Sequence, residues 1–324
     1  PENPEDSDDS YSELPEFAVA DDACFQAVGH QAGGHVEFLH SPAHQGLIFK
    51  PVTPGEEGFY RSLPASLARF TCRCFGRCCI PPEQIDAQAG KEPFPTAFLV
   101  LEDLTEGLAE AAVADLKLGF RQRAPHHNSV KRESMMRKCA ESTSAIVGFR
   151  LCGMRYYDPS TGEMTAISKQ DCRRESEASL QQKLQVFFCP VPEQEGLEEQ
   201  TQMMDVIQEL DALSHAASNL PGWRFWGASL LVARDARPFL EGHGKSCIRM
   251  RLIDFTNFHR VAAEDADGEF LGAIHNVRLH LELCLRAPSG YVELPLVMPN
   301  LTRQDEEQVQ AAADRELLSP MSAP

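Results

Sequence analysis

The apolar runs of this sequence are short and closely spaced, and this pattern restricts the fold more than any other feature. Runs such as Ala228–Ala233 are far shorter than the roughly 20 apolar residues of a membrane-spanning helix, so we expect no membrane insertion. The first hundred residues read as short strands and turns, and longer helices follow. With 324 residues available, the pattern predicts an α+β protein of two lobes.

The spacing of apolar residues predicts the individual elements. We predict strands at 28–39, 47–52, 97–101, 113–118, 146–157, 163–167, 228–233 and 248–255. We predict helices at 59–70, 131–142, 200–218 and 270–285. The turn sequence at 158–162 should join two of the strands as a hairpin.

The charge of the chain is strongly acidic and unevenly distributed. A net charge of -18 argues against nucleic acid or an anionic membrane surface as a partner. Residues 1–22 hold nine acidic side chains and no Lys or Arg, so we expect a disordered tail that cannot offset its ordering entropy. Residues 303–324 form a second acidic tail, and the beginning of the chain does not resemble a signal peptide.

Residues 117–138 have the opposite character. They carry seven basic side chains against one acid, a local charge of about +6, with His126 and His127 in what we expect to be a solvated loop. On an acidic protein, such a concentrated basic segment suits a small polyanion better than a long one, because the remaining surface would repel a polymer.

Asp115 and Lys117 lie two residues apart in a strand-like run, so their side chains should share one face. An acid and a base on one face suit a nucleotide site, although a surface salt bridge would give the same pattern. Asp254 ends another apolar strand, where a carboxylate could hold a metal ion or simply begin a turn. Neither a Walker A lysine loop nor a protein-kinase His-Arg-Asp loop is present.

The eleven cysteines read as reduced thiols rather than a disulfide framework, and we expect the protein in the cytoplasm, the nucleus or both. Cys72, Cys74, Cys78 and Cys79 invite a zinc hypothesis. Their spacing matches no regular tetrahedral pattern, so we interpret them as buried thiols.

The run Asp115-Leu116-Lys117-Leu118-Gly119 resembles the Pro-x-x-x-Asp-x-Lys-x-Gly signature of the inositol polyphosphate kinases. The segments 138–144, 148–154, 228–232 and 251–255 are similar to the inositol hexakisphosphate kinase branch and follow in the expected order. Upstream, 30–35, 50–51 and 59–64 resemble the amino-terminal lobe of that branch. The similarity spans roughly residues 25–285, which makes the ordered set far more specific than any one motif.

The resemblance implies a two-lobed fold distantly akin to protein kinases, with ATP between the lobes. It divides the chain into an amino-terminal lobe and hinge at 23–103 and a catalytic lobe at 104–302. It assigns roles as follows: Lys50 to the ATP phosphates, Glu102 and Leu104 to the adenine hinge, Asp115 to the ribose, Lys117 to the γ-phosphate and acceptor, Asp254 to Mg²⁺ with Ser229 in support, and Arg121, Arg123, Lys131 and Lys169 to substrate phosphates.

The implied activity is transfer of the γ-phosphate of ATP to a phosphate of inositol hexakisphosphate by a monomer. Departures from the family pattern bear on the substrate: Ala111 replaces the signature Pro, Arg123 replaces a His, and Asn257 replaces another His. A multikinase that phosphorylates ring hydroxyls and a non-catalytic inositol phosphate binder remain alternatives. Lys117 and Asp254 are both present, which favours an enzyme over the binder.

Overall fold

The computed structural model describes residues 13–29, 38–86, 95–124, 127–189, 196–236, 247–286 and 294–298. The strands are β1 Gln26–Ala27, β2 Leu39–His40, β3 Leu47–Pro51, β4 Cys74–Cys79, β5 Ala97–Glu102, β6 Ala111–Leu118, β7 Phe149–Asp158, β8 Glu163–Ile167, β9 Trp223–Phe225, β10 Ser229–Asp235, β11 Ile248–Ile253 and β12 Phe258–Arg260. The helices are α1 Pro54–Arg61, α2 Ala65–Ala68, α3 Ser129–Ala140, α4 Ser144–Val147, α5 Lys169–Cys172, α6 Glu177–Phe188, α7 Gly196–Ser218 and α8 Gly268–Arg286. Two short 3₁₀ helices lie at Pro42–His44 and Pro82–Gln84.

Two five-stranded sheets, built from separate stretches of chain, form a two-lobed kinase-like fold. The smaller lobe has the strand order β1-β2-β3-β5-β4, and the larger lobe has the order β11-β10-β6-β7-β8. The neighbouring strands pair antiparallel in both sheets, and β9 and β12 form a separate pair. The predicted α+β architecture is confirmed.

The large sheet is buried beneath α6, α7 and α8, which carry a large part of the main apolar core. In α7, Met203, Val206, Leu210 and Leu213 are almost fully buried and recur at helical spacing. The predicted helix at 200–218 is therefore confirmed. Within the described residues, no helix is both long and apolar enough to cross a bilayer.

Two predicted elements differ from the structure, and most of a third, the predicted strand at 28–39, lies outside the described residues. The predicted helix at 59–70 is two helices, because Pro64 holds the residue before it out of the helical conformation and α2 begins only at Ala65. The predicted strand at 146–157 begins later, because α4 continues to Val147. Gly148 then ends that helix in a left-handed conformation, with φ 77°.

The acidic amino-terminal segment also differs from its prediction. Residues 13–22 are ordered, because the backbone of Phe17 donates a 2.7 Å hydrogen bond to the Arg77 carbonyl and Arg77 donates one of 3.0 Å to the Pro15 carbonyl. The Phe17 ring packs edge-on to Phe49 in the core of the small lobe. Residues 1–12 and the second acidic tail at 303–324 lie outside the described residues.

The four clustered cysteines split between the interior and the surface. Cys72 and Cys78 are buried, as we predicted, whereas Cys74 is half-buried and Cys79 is exposed. The alternation follows from the period of β4, in which successive side chains point to opposite faces. The prediction of four buried thiols is wrong for Cys79.

Candidate active site

Asp254 lies where the two lobes meet, immediately after β11. Its φ of 65° is positive, an uncommon conformation for a residue other than glycine and one that is often enforced at functional sites. Its Oδ1 accepts a 2.8 Å hydrogen bond from Lys50 Nζ, and its Oδ2 accepts a 3.3 Å bond from Lys117 Nζ. Burial alone would raise the pKa of this carboxyl group, but the two ammonium groups lower it, so Asp254 is held as an anion.

Lys50 reaches this point from β3 of the small lobe. Its Nζ also donates a 2.8 Å hydrogen bond to Oε1 of Glu56, a residue of α1 that is almost fully buried. Burial lowers the pKa of Lys50, but the carboxylates of Asp254 and Glu56 outweigh it and raise the pKa. Sequence reasoning did not identify Glu56, because an acid in the first turn of a helix is common for electrostatic reasons alone.

Helix α1 is pressed against the segment that follows Asp254. The rings of Phe59 and Phe255 stack with their centroids 3.5 Å apart. A Cβ atom at Gly55 would lie 2.2 Å from the Thr256 carbonyl oxygen, so only glycine allows this approach. Glu56, carried by the same helix, is thereby fixed beside Lys50.

Lys117 approaches Asp254 from the centre of the large sheet. Its Nζ donates a 2.8 Å hydrogen bond to the Gly227 carbonyl in addition to its contact with Asp254. Burial lowers the pKa of Lys117, but Asp254, Cys152 and Asp115 together outweigh this effect and raise the pKa. The alternative of a surface salt bridge between Asp115 and Lys117 does not apply, since Asp115 is only 4% exposed.

Asp115 and Ser229 form the inner wall beside Lys117. Burial raises the pKa of Asp115, while Lys117 lowers it to a smaller degree. The Ser229 hydroxyl also lowers this pKa, although it makes no hydrogen bond of standard geometry. Among the described residues, Oδ1 of Asp115 and Oγ of Ser229 have no hydrogen-bond partner. Two unsatisfied buried oxygens near Asp254 are donors of the kind that hard divalent cations prefer.

The predicted hinge joins the two sheets after β5. The Glu102 N–H donates to the Arg73 carbonyl at 2.9 Å, and the Asp103 N–H donates to the Gly46 carbonyl at 2.9 Å. The Leu104 N–H has no acceptor in the part of the chain that the structure describes. No described residue therefore competes with a ligand for this N–H, which is compatible with the assignment of Leu104 to the adenine.

The cations assigned to substrate phosphates do not form one set. The Arg121 guanidinium pairs with the carboxylate of Glu269 at the start of α8, and the Arg121 N–H donates to the same group at 2.9 Å. Arg123 is half-buried, and Lys131 is exposed on the first turn of α3. Arg121 is thus tied to the large lobe, whereas Lys131 reaches solvent.

Other basic side chains extend the predicted cluster. Burial lowers the pKa of Lys138, and Arg173, Arg150, Arg137 and Lys131 lower it further. Burial also lowers the pKa of Lys169, to which Lys117 and Arg150 add. Mutual repulsion of this kind shows that the cations lie close together. We call this set the basic face; its members are Lys131, Arg137, Lys138, Lys169 and Arg173.

Arg150 is a buried cation between the basic face and Lys117. It is 3% exposed, and its guanidinium donates 3.0 Å hydrogen bonds to Gln122 Oε1 and Cys152 Sγ. Sequence reasoning did not single out this residue, because an alternating Arg in a strand usually points to solvent. Within the described residues, this buried positive charge has no carboxylate in direct contact with it.

His127 is buried rather than solvated, which corrects the expectation for this loop. Its Nδ1 accepts a 3.2 Å hydrogen bond from the Ala124 N–H, and its Nε2 lies 3.0 Å from Asn257 Oδ1. The imidazole therefore ties the basic segment to the loop that carries Asp254. His126 lies outside the described residues.

Comparison with known proteins gives a consistent family. The family model described as "Inositol polyphosphate kinase" matches residues 98–282. Inositol hexakisphosphate kinase 2 of Mus musculus is 32% identical over 145 residues, which cover 44% of this chain and 31% of the mouse protein. Inositol hexakisphosphate kinase 3 of Mus musculus is 27% identical over 171 residues, which cover 49% of this chain and 42% of that protein. The matched stretch thus spans less than half of the length of either relative.

The fold has a solved counterpart. The crystal structure of inositol phosphate multikinase Ipk2 from S. cerevisiae, in complex with ADP and Mn2+, superimposes with a TM-score of 0.60. The two chains are 22% identical, and the match covers 73% of this chain and 98% of the yeast chain. At this identity the likeness establishes the two-lobed fold, while the family model, which covers more than half of the sequence, establishes the family. This chain belongs to the inositol polyphosphate kinase family.

Proposed function

We propose that this kinase transfers the γ-phosphate of ATP to a phosphate group of inositol hexakisphosphate and so makes a diphosphoinositol polyphosphate. The observation that carries the proposal is Asp254, held between Lys50 and Lys117 at the edge of the basic face. Phosphoryl transfer depends on positioning and on electrostatic stabilisation of the transferring group. The site combines a fixed anion, two fixed cations and a separate basic surface, which are the parts that such a reaction needs.

The oxygen atoms around Asp254 fit a divalent cation. Asp254, with Ser229 in support, would hold Mg²⁺, which typically uses one or two carboxylates together with substrate phosphates, and Asp115 beside them keeps its predicted role at the ribose. When bound, Mg²⁺ supplies positive charge to the phosphate oxygens of ATP. Both oxygens of Asp254 accept from lysines, so these ammonium groups would turn towards phosphate oxygens as the cation takes up the carboxylate.

Each lysine then has a distinct task. Lys50, oriented by Glu56, neutralises ATP phosphates from the small-lobe side. Lys117, oriented by the Gly227 carbonyl, lies between Asp254 and the basic face, where it contacts the transferring phosphoryl group and the acceptor. The basic face binds the other phosphates of the substrate and aligns the acceptor oxygen for attack.

The relatives and the basic face support inositol hexakisphosphate as the acceptor. The mouse relatives of about 30% identity are inositol hexakisphosphate kinases, and several neighbouring cations suit a highly phosphorylated substrate. A multikinase that phosphorylates ring hydroxyls is the alternative.

The test is incubation of the full chain with ATP, Mg²⁺ and a panel of inositol tris- to hexakisphosphates, with products separated by anion-exchange chromatography. We expect a product more acidic than inositol hexakisphosphate. Products from the lower inositol phosphates alone would support the multikinase alternative. Binding without turnover would support the non-catalytic alternative.

The proposal also treats the protein as a monomer that acts on soluble inositol polyphosphates in the cytoplasm or nucleus. Size-exclusion chromatography with light scattering tests the first part, and imaging of the tagged protein tests the second. A stable dimer or a membrane-bound pool would contradict it.

A further inference from the structure

Arg249 lies outside the network around Asp254 and binds the backbone of the segment that follows the hinge. It lies on β11, and its Nη1 donates hydrogen bonds to two backbone carbonyls, Leu104 at 3.0 Å and Glu106 at 2.7 Å. A charged donor forms stronger hydrogen bonds to carbonyls than a neutral one does. One side chain of the large lobe therefore holds the connection between the lobes at two points.

The strand period explains why Arg249 reaches the hinge. Met250 and Leu252 are buried in the large-lobe core, so Arg249 and Arg251 point to the opposite face. β11 is also the edge strand of the large sheet, and the Leu252 N–H donates a 2.6 Å hydrogen bond to the Phe70 carbonyl of the small lobe. The outward face of β11 thus lies against the junction of the lobes.

This contact helps to fix the direction of the Leu104 N–H, which has no acceptor among the described residues. The Leu104 side chain packs against Val113, and its carbonyl accepts from Arg249. The preceding residue, Asp103, is held through its N–H by the Gly46 carbonyl. Because peptide groups are planar, fixing the backbone on both sides of Leu104 also fixes the direction of its N–H.

We infer that Arg249 is a positioning residue for the nucleobase: it holds the hinge so that the Leu104 N–H points at the base of the bound nucleotide. This inference rests on the proposed function. The same strand leads directly into Asp254, five residues further on, or roughly 17 Å along an extended chain. β11 therefore links the base end of the nucleotide site to its metal end through one rigid element.

The test compares Arg249→Met with Arg224→Met in the full chain. Arg224 is a matched control, because its Nη1 also donates to two backbone carbonyls, those of Trp223 and Asp265, and it lies outside the site. Calorimetry would give the dissociation constants of ADP and of inorganic tripolyphosphate, which has no base. Thermal unfolding would show that each variant is folded.

We expect Arg249→Met to weaken ADP binding about tenfold and to leave tripolyphosphate binding within about twofold, since a small misplacement of a binding group costs affinity at that group. Arg224→Met should change neither constant. Arg249→Lys, which keeps a charged donor, should recover part of the loss and provides a second test if the Met variant unfolds.

Equal ADP binding by Arg249→Met and the wild type would overturn the inference. An equal loss of ADP and tripolyphosphate binding would also overturn it, because such a loss reports a general change in the cleft. A wild-type protein that binds no ADP would instead overturn the proposed function, and the inference with it.

Discussion

The network around Asp254 and the basic face lie side by side, yet they are built in opposite ways. In the network every charge has a counter-charge within 3.3 Å: Asp254 faces two lysines, and Lys50 also faces Glu56. On the basic face the charges repel each other, which lowers the pKa of Lys138 beyond the effect of burial. One region is already balanced, and the other needs a polyanion to balance it.

This difference suggests that different residues control the rate of the reaction and the choice of substrate. A network of buried, hydrogen-bonded charges is rigid and sensitive to any single change, because removal of one partner leaves the other buried and unpaired. A partly exposed basic face tolerates substitution, because each cation contributes little and solvent screens it. Reaction chemistry should therefore depend on single residues, and substrate preference on a sum of many.

The largest expected effect is that of Lys117→Met. Turnover should fall about a thousandfold, since a fixed donor to the transferring group is lost and Asp254 keeps one lysine. Steady-state kinetics would measure the fall, and calorimetry should show inositol hexakisphosphate still bound by the basic face. Turnover close to that of the wild type would contradict the role of Lys117.

A change of pH tests how a buried neutral group, His280, contributes to the stability of the fold. His280 is fully buried, its Nδ1 lies 2.6 Å from Gln181 Oε1, and burial lowers the pKa of the imidazole to about 4. The unfolded chain has a histidine pKa of about 6.5, so it binds the proton first. This contribution to stability is present above pH 6.5 and is lost as the pH falls to about 4, a change of about 3 kcal/mol.

Chemical denaturation of the wild type and His280→Gln at pH 7 and pH 4 would check this expectation. Between pH 7 and pH 4, the variant should lose less free energy of unfolding than the wild type does. The reason is that it lacks the imidazole that takes up a proton on unfolding. The same difference at both pH values would show that His280 does not titrate in this window.

Glu56→Gln should have a smaller effect than Lys117→Met. The amide keeps the shape of the side chain and removes its charge, so Lys50 retains Asp254 as its one carboxylate partner. We expect kcat/KM for ATP to fall between about tenfold and a hundredfold, through weaker positioning of Lys50. Glu57→Gln, on the same helix but paired with Arg77 at the surface, is the control and should be silent.

Lys138→Ala should have the smallest effect. The KM for inositol hexakisphosphate should rise about threefold at low salt and less at high salt, with kcat unchanged, because one of several screened cations is removed. Steady-state kinetics at two ionic strengths would measure KM and kcat. A fall in kcat would contradict the separation of the network around Asp254 from the basic face.

Much of the fold was predictable because its strands and long helices have strong periods. The predicted strands at 47–52 and 97–101 and the helix at 270–285 match β3, β5 and α8 within a few residues. The helix α6 was not predicted, although Leu180, Leu184 and Phe188 recur at helical spacing, so the signal was available. The pair β9 and β12 joins distant parts of the chain, which no local period reveals.

Residue type and order in the sequence predicted some of the site residues, but not the contacts between them. Lys117 and Asp254 were identified, yet their contact spans 137 residues and required the fold to bring them together. Arg121 has the residue type of a phosphate ligand, but its partner Glu269 lies 148 residues away. Glu56 and Arg150 gain their meaning from burial, a property that only the folded chain has.

The pairing of residues 15–17 with β4 has a consequence for the behaviour of the protein in solution. β4 is the outermost strand of its sheet, and an uncovered edge presents free N–H and C=O groups to any other extended chain. The segment that contains Phe17 occupies part of this edge and packs its ring beneath it. Part of the acidic stretch that the sequence predicts to be disordered thus covers a sheet edge, and we expect a truncation past Phe17 to make the protein more prone to aggregate.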